Sequence, residues 1–433
     1  MISFLKYINN YVLHKSVRLN LANISIKILA GAIITKFIAV FVGAEGMALI
    51  GNLRNFSTAL QSVSIGGMYK GTVKYISQYK EDVKGIGETI STTYYIGFVL
   101  TFSSAFLCYY NAEYISDFLF VYGYRYTYIV KLLALLLPFY SLNMFTYSIM
   151  NGFSKFKILL IINSIGQVLG LLVTLVLIWQ NDIDGALTAI AITPALVFLI
   201  TLVGILWRRS LIGLIKFKTI TLKALGQLAP FTVLAMLTSI SIPLVLILIR
   251  NYIMSEVGFK EAGYWQAINR ISDYYLMFVN SLITLYVSPR LNVLNSTAEF
   301  RREIFKFYKQ VMPYVLGALV LVYFLRVPII NLLLTEDFQP TKSLFLWQLI
   351  GDFLKVLAMV IALQFLAKKM FAHFIILQVF LFVMLYISSI YFIDMYGIQG
   401  AVIGHAVSYT AYFILNLMLF ASSLFGVITD QTK

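Results

Sequence analysis

The sequence predicts an all-α integral membrane protein of twelve transmembrane helices in two six-helix lobes. Three observations carry this expectation. The 433 residues are 60% hydrophobic and only 12% charged, with a mean hydropathy of +0.87. A soluble domain has roughly 45–50% apolar and 25% charged residues, so the excess is too large for a buried core alone. Twelve stretches reach the roughly 20 apolar residues that a membrane helix needs. The basic residues between them are distributed so as to set one orientation.

The twelve stretches lie near 22–43, 46–69, 87–110, 127–151, 158–180, 185–207, 228–254, 262–288, 308–331, 343–366, 374–393 and 398–425. Inside lipid every backbone N–H and C=O must be satisfied within the chain, so spans of this length are helices. Short connectors such as QNDIDG and DMYGIQG separate them. Spans one and seven are expected to be bent or broken. Span one carries Gly31, and Pro243 in span seven lacks a donor and crowds the preceding turn. Residues 1–20 lack an apolar h-region and a small-residue cleavage site, which argues against a cleaved signal peptide.

With a cytoplasmic N-terminus, the inner connectors and both tails hold twenty-two Lys and Arg, and the outer connectors hold three, Arg125, Lys260 and Lys342. Ten acids fall outside, among them Asp182, Asp184, Glu336 and Asp337. This asymmetry puts both termini inside. It also explains most of the net charge of +15, so nucleic acid is not an expected partner.

The basic stretch WRRSLIGLIKFKTITLKALGQ divides the spans six and six. It predicts an N-terminal lobe over 1–207, a cytoplasmic linker over 208–227 and a C-terminal lobe over 228–433. VGAEGMALIGNLRN in the second span echoes VGFKEAGYWQAINR in the eighth, with Lys36 and Arg250 at similar distances upstream. Both segments run from outside to inside, as in a parallel repeat.

Eight basic residues fall within or at the edges of spans: Lys27, Lys36, Arg54, Lys131, Arg250, Arg270, Arg326 and Lys355. Only Asp273 and Asp352 oppose them there. A charge at mid-membrane costs roughly 2.5–3.5 kcal/mol on insertion scales. Lys27, Lys131 and Arg326 lie near span ends, where a long side chain reaches the interface. Lys36 and Arg250 can do the same or face a cavity. Arg54 lies deeper, about 12 Å below the outer turn at 1.5 Å per residue, and has no acid at i±3 or i±4. Arg270 has Asp273 at i+3, and Asp352 has Lys355 at i+3, so these four can pair on one helix face or serve a substrate. With the pairs cancelled the interior stays cationic. Lys36, Arg54, Arg250 and Arg270 are the candidate anion-binding set, with phosphate the favoured anion because guanidinium donates directed hydrogen bonds.

The 29 Tyr and 34 Phe form an interfacial belt, fill helix packing, or stack on sugar rings near GYWQ (263–266) and DYYLMF (273–278). Cys108 is the one cysteine, so no intramolecular disulfide is possible. His14, His373 and His405 are far apart in sequence and suggest no metal site. GGMYKGTV is the nearest approach to a phosphate-binding loop, but Thr72 follows Gly71 where the motif needs Lys. No cofactor is expected. Energy would come from an H+ or Na+ gradient, the membrane potential or the substrate gradient, with Asp273, Asp352 and Lys355 as candidates for coupling.

GMYKGTVKYISQY (67–79), GYWQAINRISDYYLMFVNSLITLYVSPRL (263–291) and FLWQLIGDFLKV (345–356) resemble the Wzx-type O-antigen and lipid III flippases. These belong to the multidrug/oligosaccharidyl-lipid/polysaccharide (MOP) exporter superfamily, and the resemblance runs over nearly the whole chain. It implies a V-shaped pair of lobes in a bacterial inner membrane. It implies translocation of an undecaprenyl-pyrophosphate-linked O-antigen or enterobacterial common antigen repeat from the cytoplasmic to the periplasmic leaflet. Its partners would be that glycan, membrane lipids, and the polymerase and chain-length proteins of the pathway. Exporters of this type tend to have a cationic cavity, and Arg270 lies inside one of the shared motifs. Two alternatives stay open. A cation-coupled multidrug exporter of the same fold would need acids for its cargo, and only Asp273 and Asp352 are available. A polymerase or ligase of lipid-linked glycan would need a large outer loop, yet the longest outer connector is about 111–128.

Overall fold

The structure is a computed structural model that describes residues 15–79, 82–121, 126–206, 221–291, 296–368 and 370–425. Among the described residues there is no strand. The first half comprises α1 (Lys15–Phe41), α2 (Gly43–Ser64), α3 (Tyr69–Gln78), α4 (Val83–Tyr110), α5 (Ala112–Leu119), α6 (Thr127–Gly152) and α7 (Phe156–Leu206). The second comprises α8 (Leu222–Glu256), α9 (Phe259–Leu282), α10 (Ser288–Leu291), α11 (Thr297–Phe324), α12 (Arg326–Leu333), α13 (Phe345–Ala367), α14 (Phe371–Tyr396), α15 (Ile398–Leu419) and α16 (Ala421–Phe425). A π-turn, Ile283–Val287, follows α9, and a 3₁₀ segment, Glu336–Leu344, precedes α13.

Nine helical segments among the described residues are long and apolar enough to cross a membrane. One, Phe156–Val203 within α7, has 48 residues. At 1.5 Å per residue that is about 70 Å, more than twice the roughly 30 Å hydrocarbon core. It breaks at Asn181 and Asp182, the latter at φ 44, which splits it into two crossings, 156–180 and 183–206. The stretches expected at 46–69 and 262–288 fall on α2 and α9. Their charges, Glu45 and Arg54 on α2 and Lys260, Glu261, Arg270 and Asp273 on α9, together with amide residues such as Asn52, Asn55 and Gln61 on α2 and Gln266 and Asn269 on α9, lower the mean hydropathy and keep both out of the nine. Twelve crossings therefore stay an expectation.

Two sequence expectations are narrowed by the structure. Spans one and seven, expected to be bent or broken, are not broken: α1 and α8 each run as one helix. Pro243 leaves the Ser239 carbonyl without its helical donor, yet α8 continues through it, as membrane helices do when neighbouring groups take up the freed carbonyl. The stretch expected at 308–331 is divided at Leu325, where α11 ends and the eight-residue α12 begins.

The chain forms two compact units, Leu19–Asn251 and one that begins at Tyr252. Most of α8 thus belongs to the first unit, and the predicted linker over 208–227 lies mostly outside the described residues. Each unit packs through small residues, because lipid supplies little hydrophobic drive between helices and close backbone approach must do the work. In the first unit a Cβ on Gly97 would stand 1.9 Å from Phe145 Cζ, and one on Gly152 would stand 2.7 Å from Ile76. Ile76, Ile86, Ile90 and Ile149 form a buried cluster at that second contact. In the other unit Gly404 lies against the Ser389 backbone.

The same local geometry recurs in both units. Gly43 (φ +74) stands at the start of α2 and Gly258 (φ +146) at the start of α9. Asp182 (φ 44) breaks α7, and Gly397 (φ 59) separates α14 from α15. Gly185 and Gly400 then bring the second helix of each pair onto the first. An added Cβ would stand 1.8 Å from the Leu177 carbonyl oxygen and 2.0 Å from that of Phe392. All three pairs are separated by the same interval along the chain. This is the signature of an internal repeat, carried by the turns and by the residues at them: Val42–Gly43 matches Val257–Gly258, and Ile183, Gly185 and Ala186 match Ile398, Gly400 and Ala401.

These two glycines predict a contrast. Gly185→Ala and Gly400→Ala push a methyl into rigid backbone and are expected to lose most of the monodisperse protein recovered in detergent. Gly226→Ala meets nothing within 4 Å and is expected to be neutral. Size-exclusion profiles of the three variants check this.

Candidate functional site

Among the described residues, three polar assemblies hold charges that the sequence singles out. The first is a pocket of about 270 Å³ within the first unit, lined by α1, α2 and both halves of α7. Its one charged lining residue is Arg54, and no Asp or Glu borders it. Ser57, Thr58, Gln61, Gln167, Thr174 and Thr193 supply polar groups. Some are already engaged: the Gln61 amide donates to Ser57 Oγ (3.0 Å), and the Thr58 hydroxyl donates to the Arg54 carbonyl (2.9 Å). The buried Thr193 hydroxyl has no hydrogen-bond partner among the described residues. Pro194, next to it, removes a backbone donor from the same wall. Gly166 and Gly170 let the two halves of α7 close behind the pocket, where added Cβ atoms would stand 3.1 Å from Val197 and 2.6 Å from Thr193. The result is a cationic recess with hydroxyl and amide donors, an environment fitted to an anion.

The second assembly holds Arg250, which is 1% exposed. Its Nη1 donates to Asn52 Oδ1 at 2.6 Å. The Asn52 amide in turn donates to the Leu119 carbonyl (2.8 Å) and to Asn251 Oδ1 (2.7 Å). The Asn251 amide donates to the Phe118 carbonyl at 2.8 Å. The carbonyls at the end of α5 would otherwise be orphaned, and two asparagines satisfy them. Asn52 and Arg54 are two residues apart on α2, about 200° around the helix at 3.6 residues per turn. One face of α2 thus anchors α8, while another turns Arg54 into the pocket.

The third assembly lies in the second unit around Asp352, which is fully buried. Ser272 Oγ and the Tyr275 hydroxyl, both on α9, donate to Asp352 Oδ2 at 2.7 and 2.5 Å. The Gln348 amide lies 3.3 Å from the same oxygen. His405 Nε2 on α15 is 3.1 Å from Oδ1, an ion pair when the imidazole is protonated. Lys355 Nζ sits 5.4 Å over the Tyr409 ring, which makes an edge contact with His405. Gly351 makes this possible: a Cβ there would come within 2.3 Å of the His405 ring.

The four predicted cations are therefore placed differently. Arg54 lines the pocket. Arg250 is buried on Asn52. Lys36 is half-buried on α1; Ile34 and Ile38 line the pocket, so Lys36 points away from it. Arg270 is half-buried on α9 in the other unit. Sequence reading missed Asn52, Asn251 and His405. The first two are uncharged, and His405 finds Asp352 only through tertiary structure. Among the described residues no cluster of three or more metal-ligating side chains occurs.

Comparisons with known proteins agree on one group. The family model for "Polysaccharide biosynthesis protein" matches residues 68–343. The lipid III flippase of Escherichia coli (strain K12) is 31% identical over 397 residues, covering 91% of this chain and 94% of that protein. The lipid III flippase of Shigella flexneri matches equally. Among solved structures, an inward-facing multidrug resistance MATE family transporter of the MOP superfamily superposes with a TM-score of 0.72 at 13% identity. That match covers 94% of this chain and 96% of the other. The lipid II flippase MurJ, in an inward closed conformation, gives 0.71 at 15% identity, covering 94% and 87%. At these identities the structural matches speak for the fold alone.

The Arg250 assembly yields a coupling test. Arg250→Leu and Asn52→Leu each strand the other's polar group, at a cost of about 1–3 kcal/mol. The double variant is expected to cost clearly less than the sum. Thermal unfolding of the purified single and double variants measures it, and strict additivity would show that the bond carries no energy.

Proposed function

The chain belongs to the polysaccharide biosynthesis protein family within the MOP exporter superfamily, and on that premise we propose that it flips a polyprenyl-diphosphate-linked oligosaccharide across a membrane. The activity is transport and not catalysis, in keeping with flippase and transporter relatives. Within that class the finer reading is an undecaprenyl-pyrophosphate-linked O-antigen or enterobacterial common antigen unit. It would move from the cytoplasmic to the periplasmic leaflet of a bacterial inner membrane, with both termini cytoplasmic. The lipid III flippase relatives support the substrate class, and the excess of basic residues on one set of connectors supports the orientation.

One observation carries the substrate reading: the pocket around Arg54 holds a guanidinium and no acid. A drug exporter binds cations and needs the opposite polarity. A diphosphate carries at least two negative charges, and its oxygens match a guanidinium fork. Arg54 is the residue that meets it first. Lys36, Arg250 and Arg270 are further candidates for the phosphate path. Arg250 would have to exchange Asn52 for a phosphate oxygen, so its part belongs to a conformation in which α2 and α8 have moved. The test is transport in cells whose surface glycan depends on this protein. Arg54→Ala is expected to lower surface glycan at least about tenfold at normal membrane abundance, with partial recovery in Arg54→Lys. That ratio is 1.4 kcal/mol, within reach of one charge-assisted contact. Full glycan production in Arg54→Glu would overturn the assignment.

The buried Asp352 is the proposed point of coupling to an ion gradient, with protons favoured because His405 is its direct partner. Lys355 acts on the same carboxylate, and Asp273 acts in turn on Lys355. In proteoliposomes, an imposed proton gradient is expected to accelerate flipping by the intact protein, and Asp352→Asn to abolish that acceleration. A response to sodium alone would reassign the ion.

A further inference from the structure

The second unit carries a groove of about 310 Å³ between α11 and α13 that the transport reading does not use. Its floor is Leu319 and Leu349, each 6% exposed. Leu316 forms part of an exposed rim, at 47%. Phe353 and Tyr323 also line it, and its lining residues run over 316–323 on one helix and 346–354 on the other. At 1.5 Å per residue that is a trough about 10–12 Å long. It is bordered by Arg326, whose guanidinium stacks 4.3 Å from the Tyr323 ring centroid and donates to the Tyr323 carbonyl at 2.7 Å. Among the described residues no carboxylate lies within ion-pair distance of Arg326. Both helix segments are long and apolar enough to span a membrane, and Arg326 lies two residues beyond the end of its segment at Phe324.

We propose that this groove binds an anionic phospholipid, with the acyl chain in the trough and the phosphate on Arg326. Three points select that occupant. The trough is as deep as most of one leaflet of a roughly 30 Å hydrocarbon core, which fits a single acyl chain starting at the interface. Apart from Tyr323 and Phe353 its lining is Leu, Ile and Val, with no charged or amide side chain to hydrogen-bond the hydroxyls of a glycan, so an acyl chain fits it better than the glycan end of a lipid-linked substrate. The cation stands where a headgroup phosphate lies. Tyr323 orients the guanidinium by its ring and its carbonyl, leaving the remaining N–H donors for phosphate oxygens. A long charged side chain at a span end would by itself only snorkel; an apolar trough beside it makes a two-part site.

Native mass spectrometry of the purified full-length protein tests this, with dioleoylphosphatidylglycerol and dioleoylphosphatidylethanolamine titrated separately. The intact protein is expected to bind phosphatidylglycerol roughly tenfold more tightly than phosphatidylethanolamine. Arg326→Gln should erase that preference and retain weak binding of both. Leu316→Trp fills the trough from its exposed rim without disturbing the floor, and should weaken both lipids. Equal binding of the two lipids by the intact protein would overturn the proposal, as would a preserved preference in Arg326→Gln. Undecaprenyl phosphate that displaces phosphatidylglycerol at equimolar concentration would also overturn it, by assigning the trough to the substrate's own chain.

Discussion

Everything polar in this protein is governed by one constraint: inside hydrocarbon a hydrogen-bonding group has no water to turn to. The helices follow from it directly, since each keeps its backbone bonds within itself. So does the placing of every interruption. Where α7 reverses, Asp182 adopts a left-handed conformation between two crossings, and Gly397 does the same between α14 and α15. Where α5 ends, its last carbonyls are taken by Asn52 and Asn251, and Asn52 also accepts from Arg250, which ties α2 and α5 to α8. A charge that looks misplaced in a row of Ile and Leu is one member of a hydrogen-bonded chain that runs from Arg250 through Asn52 to the end of α5.

The same constraint separates two kinds of buried charge. Asp352 receives donors from α9, α13 and α15, so its cost is shared by three helices, and its protonation state bears on how they pack. Arg54 stands at a recess whose other groups are hydroxyls, amides and apolar side chains. Nothing on that wall neutralises it. A saturated carboxylate is suited to registering a proton, because losing or gaining one rearranges existing bonds. An unneutralised guanidinium at an open recess is suited to receiving a ligand, because the ligand supplies what the wall lacks.

The fold was largely legible in the sequence, because hydropathy and helix length are local properties. Six of the expected stretches, 87–110, 127–151, 158–180, 185–207, 343–366 and 374–393, match helix ends to within four residues. The mismatches came at prolines, whose effect depends on what takes up the freed carbonyl. Pro243 points to a bend or a break, and α8 continues through it without a break. Pro328, three residues past Leu325, cannot donate to the Phe324 carbonyl, and the chain divides into two helices there, a signal the hydropathy reading of 308–331 did not use. The candidate site was legible only in its charges. Arg54 was singled out by depth and by the absence of a nearby acid along the helix. Asn52, two residues earlier, was passed over because nothing in an apolar helix distinguishes an asparagine that bonds across to another helix from one that faces a loop. His405 and Asp352 are 53 positions apart in the chain, and no local pattern joins them.

The glycines complete the argument, since they decide which polar groups can meet. A side chain at Gly351 would occupy the space of the His405 ring, so the imidazole reaches Asp352 only because α13 is bare at that point. Gly166 and Gly170 likewise let the two halves of α7 close into a back wall, without which the recess at Arg54 would be open to lipid on that side. Charge alone therefore does not define these sites. Each consists of a charged or titratable side chain and a neighbouring backbone stripped of its side chain. In a bilayer the second component is the more demanding one, because helices that meet through Gly gain dispersion contacts that no hydrophobic force would otherwise supply. The repeat points the same way. What the two halves share is the position of their close approaches and turns, at Gly43 and Gly258, Asp182 and Gly397, and Gly185 and Gly400. The charges differ between them. A common backbone with divergent polar fittings lets one unit present an unneutralised cation while the other buries a hydrogen-bonded acid.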